Sequence, residues 1–346
     1  MQVTFDDRNS RNNLYPFAVT RNVEDIRIGI LTIKQKWELI FSVLKVEFAN
    51  SIAIPSNIIP TKNYVEQLDF SGDNIFTALD STEDVKVINH SWEIFQLNDW
   101  ALRNDFELIT AGRSSQTISS TNQLIAPENI FVEEGAIIEH SILNASTGPI
   151  YIGKNAVVME GNLIRGPFAL CEGATLKMGS KIYGATTIGP YSVAGGEIKN
   201  SVLFGYSNKA HDGYLGDSVL AEWCNLGAGT SNSNLKNTAG DVNVWDNSKK
   251  SYTKVGTKCG LLMGDYSRAA INTSFNTGTV VGVCCNIFGE GFPAKHVPDF
   301  SWGGGEYDIE KALQDIDNWK KLKTKNITQQ EKEILSELYN QKINIK

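Results

Sequence analysis

Long apolar runs are missing from this sequence: none of its 346 residues fall in an uncharged apolar stretch of about eighteen, the length a membrane-crossing helix needs. The opening residues, MQVTFDDRNSRNN, lack the basic-then-apolar order of a secretory leader, so a cytoplasmic protein is expected. Positive charge is also short. Lys and Arg number 32 against 39 Asp and Glu, which leaves a net charge of −7. This excludes a general attraction to nucleic acid or to an anionic membrane, and a phosphorylated ligand must then meet basic residues gathered locally. The five cysteines are odd in number and show no metal-ligand spacing, with Cys284 beside Cys285. Buried free thiols are expected in place of disulfides or a zinc site. Histidine occurs only four times, which narrows the search for a group that exchanges protons near neutrality.

What the chain does have is a period of six. Ile152, Val158, Ile164, Leu170, Leu176, Ile182 and Ile188 recur at that interval, and all are aliphatic. A second register carries Tyr214, Leu220 and Leu226, and a third Met263, Ala269, Phe275, Val281 and Ile287. Six matches neither the 3.6-residue period of a helix nor the alternation of a plain strand, so each unit is read as a short strand plus a corner. Three units make one triangular coil, whose aliphatic residue points inward onto its equivalent in the next coil. The stretch from about Pro127 to Gly305 is therefore a parallel β-helix. Its register breaks near Ala194-Gly195-Gly196 and across Thr230 to Ser251, where SNSNLKNTAGDVNVWDNSKKS reads as a protruding loop. Long loops on regular scaffolds are usually functional.

Three regions follow. Residues 1–120 have α/β texture, with apolar runs Ile28 to Ile33, Ile52 to Ile54 and Val85 to Ile88 between helical patterns such as KQKWELIFSVL. Residues 121–305 are the β-helix. In residues 306–346, Ile309, Leu313 and Ile316 sit at helical spacing, and Thr328 with Glu331 forms a capping-box pattern before a second helix. These C-terminal helices are expected to cap the open end of the solenoid.

The segment GEIKNSVLFGYSNKAHDGYLGDSVLAEWCNLGAGT resembles the acetyltransferase half of the bifunctional N-acetylglucosamine-1-phosphate uridyltransferase/glucosamine-1-phosphate N-acetyltransferase family. GPIYIGKNAVVMEGNLIRGPFAL, SNLKN, INTSFNTGTVVGVCCNIFGEGFP and FSWGG look like a bacterial variant of the same family, so the resemblance covers most of the chain. It implies a left-handed β-helix, a homotrimer with sites between subunits, and acetyl-CoA as co-substrate. It implies that His211 is the general base and that Lys199, Tyr214 and Asn225 bind the sugar phosphate. On the coenzyme side, it implies that Ala228 presents a backbone amide to the thioester. Asp265 and Val283 fall on two further coenzyme positions, where the family usually has serine and alanine. The family's phosphate-binding arginine has no clean counterpart, and Arg165 and Lys181 are stand-ins. Lys236, in the SNSNLKN insertion, is a further candidate for the sugar phosphate.

Acyl transfer to an amine needs a group to take the amine's proton and donors for the oxyanion that develops. His211, with polar neighbours Asn208, Lys209 and Asp212, suits the first task. In the first region, Arg11-x-x-Leu14-x-Pro16-Phe17-x-x-Thr20-Arg21 followed by Asp25-Ile26-Arg27-Ile28-Gly29-Ile30 looks like a worn opening signature of sugar nucleotidyltransferases. The glycine-rich phosphate turn is absent, and FDDRNSRNN stands in its place. Arg11, Arg21 and Arg27 are candidates for nucleotide phosphates, and Asp6 or Asp7 for Mg²⁺. The leading expectation is an acetyl-CoA-dependent N-acetyltransferase acting on an amino-sugar phosphate, glucosamine 1-phosphate by resemblance, with or without sugar-1-phosphate nucleotidyl transfer. Two alternatives stay open: a nucleotidyltransferase trimerised by the β-helix, and a non-catalytic scaffold that binds sugar nucleotides.

Overall fold

A strand of two or three residues buries little on its own, and the hexads solve this by stacking. In the computed structural model, which describes residues 3–47, 51–70, 76 and 81–344, Ile152, Leu170 and Ile188 lie in register on neighbouring parallel strands. The chain visits a nine-stranded, a ten-stranded and a six-stranded sheet in turn, giving a left-handed β-helix of about ten coils. All seven residues of the first register are buried, as are all five of the third. The second register departs from expectation at Tyr214, which faces outward, while Leu215 fills the core beside it. All five cysteines are buried free thiols.

The corners explain where the flanking regions attach. Between the nine- and ten-stranded faces, Tyr191, Tyr206, Trp223 and Tyr266 take φ values of 57°, 61°, 60° and 61°. For residues other than glycine this left-handed conformation costs roughly 1–2 kcal/mol each. Stacking offsets part of the cost: the rings of Tyr191 and Tyr206 lie 5.2 Å apart and those of Tyr206 and Trp223 4.5 Å apart, the latter pair inclined by only 1°. The helices Ile309–Lys321 and Gln329–Asn344 pack on this ladder, burying Ala312, Ile316 and Leu335 in one cluster with Trp223, Tyr266 and Phe300. They therefore lie along the side of the solenoid, whereas the sequence suggested its open end. The apolar ladder, and not a sheet edge, is the surface that needed covering. Thr328 and Glu331 form the expected capping box, with Glu331 N donating to Thr328 Oγ1 at 3.2 Å and Thr328 N to Glu331 Oε2 at 2.7 Å.

The insertion after Thr230 packs on the solenoid along one side and leaves its turns exposed. Asn243–Asp246 and Ser251–Lys254 form an antiparallel hairpin whose turn is closed by backbone donors of Ser248 and Lys249 on the Asp246 carboxylate. Val242 and Val244 are buried, and the Trp245 ring stacks on His296 at 4.4 Å.

In the first region, Val3–Asp6 pairs in parallel with Ile52–Pro55, and Ile58–Pro60 antiparallel with Val85–Val87. The apolar run Ile28 to Ile33 is not a strand. Ile28 N donates to Leu31 O, and Ile33 already begins the helix Ile33–Leu44. Gly29 permits this turn: its φ is +73°, and a Cβ there would stand 2.4 Å from Asp105 Oδ2. Asp105, on the helix Asn98–Thr110, accepts from Ile30 N and Leu31 N and is ion-paired with the buried Lys36. Asn98 accepts from Gly29 N at 2.7 Å and donates to Ala185 O at 3.0 Å in the β-helix. Thr187, whose side chain leaves the nine-stranded face, completes the seam by donating to Gly29 O at 3.0 Å. One apolar cluster accordingly runs from Phe17, Trp37 and Ile54 into Leu170, Leu203 and Val281.

Candidate active site at a shortened coil

Regular coils here hold three hexads, as from Val157 to Thr175 to Val193. The next step, Val193 to Asn208, is three residues short, and Asn208 to Asn225 is one short. One residue in each step is lost between the six- and nine-stranded faces, and the other two of the first step at the corner between the ten- and six-stranded faces, where the contraction is greatest. It presses Gly195 so close to the next coil that a Cβ there would meet Ala210 O at 2.5 Å. The strand Asn208–Lys209 then leads into Ala210, His211, Asp212 and Gly213 before the strand Tyr214–Gly216.

Lys209 occupies the inward hexad position between Ala194 and Leu226. It is 1% exposed, and its ammonium donates to Gly195 O and to His211 O. Burial pushes its pKa down to about 8. The ammonium thus ties the backbone of the candidate base to the preceding coil. The His211 side chain itself is exposed and makes no hydrogen bond to the described residues. Ala228 sits one coil further along the same corner, joined to it by Gly229 N donating to Asp212 O at 3.1 Å. The fold therefore brings His211 and Ala228 together.

On the six-stranded face beside this corner, Lys199 pairs with Tyr183 on one side and Gly216 on the other, while Tyr214 pairs with Glu197. Lys181, Arg165 and Lys199 stand on this open face and form no ion pair among the described residues. Arg165, Lys181 and Tyr183 line a groove of about 660 Å³ that Leu163 and Ile142 make apolar. The Tyr183 hydroxyl donates to Glu197 at 2.6 Å, which pushes the phenol up to about 12. Lys199 rests over the Tyr183 ring at 5.9 Å. Asn225 lies on the other side of the corner, outward on the ten-stranded face. Lys236 is held in the insertion, where its ammonium donates to Asp241 O, and it makes no hydrogen bond to His211 among the described residues.

The remaining candidates lie apart from this corner. Asp265 is buried between the nine- and ten-stranded faces, where its carboxylate takes Thr20 Oγ1, the Arg21 guanidinium and Glu222 N. Val283 is also fully buried, and its N–H donates to Asp299 Oδ1, which also accepts from Tyr15. Both positions are covered by the N-terminal segment and do not line an open groove. Neither side chain is open to a coenzyme in this arrangement. Arg21 is committed to Asp265, with Glu222 3.6 Å away, and Arg27 is buried and donates to Ile30 O. Arg11 donates to Asp7, Asn22 and the carbonyls of Ala18 and Arg21. None of the three is free for a phosphate. Asp6 and Asp7 are paired with Arg8 and Arg11, so these carboxylates do not fit a Mg²⁺ site.

A family model described as sugar nucleotidyl transferase matches residues 2–51. The bifunctional sugar-1-phosphate nucleotidylyltransferase/acetyltransferase of Sulfurisphaera tokodaii is 29% identical over 205 residues, 58% of this chain and 44% of that protein. The chain is similar to these two-reaction transferases. The bifunctional protein GlmU of Methanococcus maripaludis is 29% identical over 195 residues, covering 56% of this chain and 41% of its own length. That of Synechococcus elongatus is 25% identical over 268 residues, 70% of this chain and 54% of its own. The chain spans about half the length of the curated relatives it matches. Among solved structures, an Arabidopsis UDP-N-acetylglucosamine acyltransferase aligns over 65% of this chain and 90% of its own, at 15% identity and a TM-score of 0.24. Among the described residues, no helix is long and apolar enough to cross a membrane.

Proposed function

We propose that the chain is an acyl-CoA-dependent N-acetyltransferase for an amino-sugar phosphate, with acetyl-CoA as donor and glucosamine 1-phosphate as acceptor. The observation that carries this reading is an exposed imidazole, His211, beside the Ala228 backbone at one corner, next to a face whose three cations form no ion pair among the described residues. In an acidic protein, Lys181, Arg165 and Lys199 supply the local positive charge that a sugar phosphate requires. His211 would take the proton from the acceptor amine as its nitrogen attacks the thioester carbonyl. The Ala228 amide would donate to the resulting oxyanion, and the C–S bond would then break to release the coenzyme thiol. The open six-stranded face, with Ile125 and Leu163 exposed, is where a neighbouring subunit of a trimer would close the site.

Purified protein is expected to release free thiol from acetyl-CoA only when glucosamine 1-phosphate is present. His211→Ala is expected to lower turnover by roughly 10²–10⁴-fold, and unchanged turnover in that variant removes the assignment of the base. Nucleotidyl transfer is the second reading, favoured by the family match over residues 2–51. Pyrophosphate release from UTP with a sugar 1-phosphate tests it. The pairing of Arg11, Arg21 and Arg27 within the protein supports instead a structural role for the first region, as the brace of the β-helix.

A further inference from the structure

We propose that Lys209 is the positioning residue of the His211 corner: its buried ammonium stands in for backbone bonds that the shortened coils have lost, and fixes the backbone that carries the imidazole. The consequence for catalysis rests on the acyl-transfer reading, and the tether itself does not. At an ordinary coil, the residue just past the inward hexad position donates its N–H to the inward residue of the next coil. Met159 does so to Leu176 O, Lys177 to Ala194 O, Gly227 to Ala269 O and Ala270 to Ile287 O. Gly195 and Ala210 occupy the same position in the shortened coils. Neither N–H makes the corresponding backbone bond among the described residues.

One side chain ties two carbonyls in their place. The Lys209 ammonium donates to Gly195 O in the preceding coil, at 3.2 Å, and to His211 O. Such charge-assisted bonds are roughly twice as strong as neutral ones. The glycines of the register break allow the approach, since a Cβ on Gly196 would stand 2.8 Å from His211 O and 2.9 Å from Gly213 O. The turn at 210–213 is thus drawn onto the preceding coil from inside the solenoid, while the His211 side chain stays exposed outside it.

An inward lysine is otherwise a costly choice. Ala194 and Leu226 stack on it from the neighbouring coils, Leu203 and Leu215 are the inward residues on either side of it, and all four are buried. Both of its partners are backbone carbonyls, and neither is a carboxylate. Asp212 is the charge that favours its protonated form, while Lys177, Glu197, Lys199, His211 and Tyr214 stand about the corner at half-buried or exposed positions. Burial outweighs Asp212, and the ammonium is brought down to about 8. Methionine would fill the same space without burying a charge. What lysine adds is the hold on two carbonyls, and loss of its proton leaves only weaker, neutral donors. The corner should therefore relax as pH rises through about 8. Lys209 faces neither the amine nor the thioester, so its effect on transfer is exerted through the His211 backbone.

The test follows the His211 ring by NMR in the full chain labelled at histidine Cε1, with His211→Ala to assign its signal among four histidines. In the wild type, the signal is expected to show, besides its own titration, a second step as pH rises through about 8. In Lys209→Met that step should be absent and the signal displaced, with Tm little changed. In the acetyl-transfer assay, wild-type kcat should fall across the same pH range. Lys209→Met should lower kcat by roughly 10- to 10²-fold, leave KM nearly unchanged and show no alkaline step. Identical His211 signals with a single titration in both proteins overturn the proposal, as does unchanged kcat in Lys209→Met. So does a Tm of Lys209→Met well below the wild type, which would make the lysine a plain support of the fold. If Lys209→Met does not fold, a wild-type His211 signal without the second step overturns it. A second step in a protein that transfers no acetyl group supports the tether and removes the acyl-transfer reading, so the two fail separately.

Discussion

Replacing Asp105 by alanine tests whether the first region and the β-helix are held by the buried seam at Gly29. The carboxylate is 2% exposed, ion-paired with a Lys36 that is 1% exposed, and accepts the backbone donors of Ile30 and Leu31. Burial pushes the Asp105 carboxyl up and the Lys36 ammonium down, so each depends on the other to stay charged. Asp105→Ala leaves a buried ammonium without a counter-charge, and breaking one side of a buried pair costs about 3–5 kcal/mol. It also strands two N–H groups at about 1–3 kcal/mol each, a cost that overlaps with the first. A loss of about 5 kcal/mol is expected, a large share of the roughly 5–15 kcal/mol that stabilises a typical domain. The double variant Asp105→Leu with Lys36→Met removes both charges and strands only the N–H groups, so about 2–3 kcal/mol is expected. Urea unfolding at fixed protein concentration, followed by tryptophan fluorescence and circular dichroism, measures both. The reasoning fails if Asp105→Ala costs less than about 1 kcal/mol, or if the double variant is no more stable than the single one.

Asp265→Ser, which restores the family's usual residue, should cost roughly 3 kcal/mol by leaving Arg21 with only the more distant Glu222. Proteolysis should then cut the segment around Thr20 first, and unchanged resistance would show that the segment is held elsewhere. Lys209→Met should lower kcat for acetyl transfer more than it changes KM, because the ammonium positions the His211 backbone without facing the acceptor. Equal changes in both would mark a general loss of fold. Burial depresses His296 to about 4 from an ordinary 6.5, so the unfolded chain binds the proton more readily between those values. The contribution of the neutral ring is fully present above about pH 6.5 and is lost as pH falls towards about 4. A loss of roughly 2 kcal/mol is expected, less than the full shift because the ring is only partly covered. In His296→Phe, which keeps the stack on Trp245, Tm should fall less over that range, and an identical fall would exclude the ring.

The hexads were legible because a stacked core admits only one kind of residue at each inward position, and Ile152 to Ile188 obey that rule without exception. Lys209 was legible in principle: it occupies the aliphatic position between Ala194 and Leu226. The shortened coil hid that register, and a lysine beside a histidine reads as a polar neighbourhood. His211 and Ala228, both picked out by motif, stand on neighbouring coils of one corner. The surroundings of Asp265, Arg21 and Arg27 were not legible, because their partners are distant in sequence and local patterns carry no sign of long-range pairing. The run Ile28 to Ile33 reads only as an apolar stretch, because burial, not alternation, sets its composition. Gly29 and the distant Asp105 decide its shape.

The aromatic corner ladder has an optical consequence. Tyr206 and Trp223 lie face to face within van der Waals reach, with Tyr191 continuing the column and Lys325 and Lys320 set over the Tyr206 and Trp223 rings. Rings held this close and this parallel share excitation, so light absorbed by the tyrosines should be emitted by the indole, and the near-ultraviolet dichroism should carry a coupled band. That band would vanish when adjacent coils slide by less than the width of a ring. The side of the solenoid thus carries its own strain gauge, readable without a label.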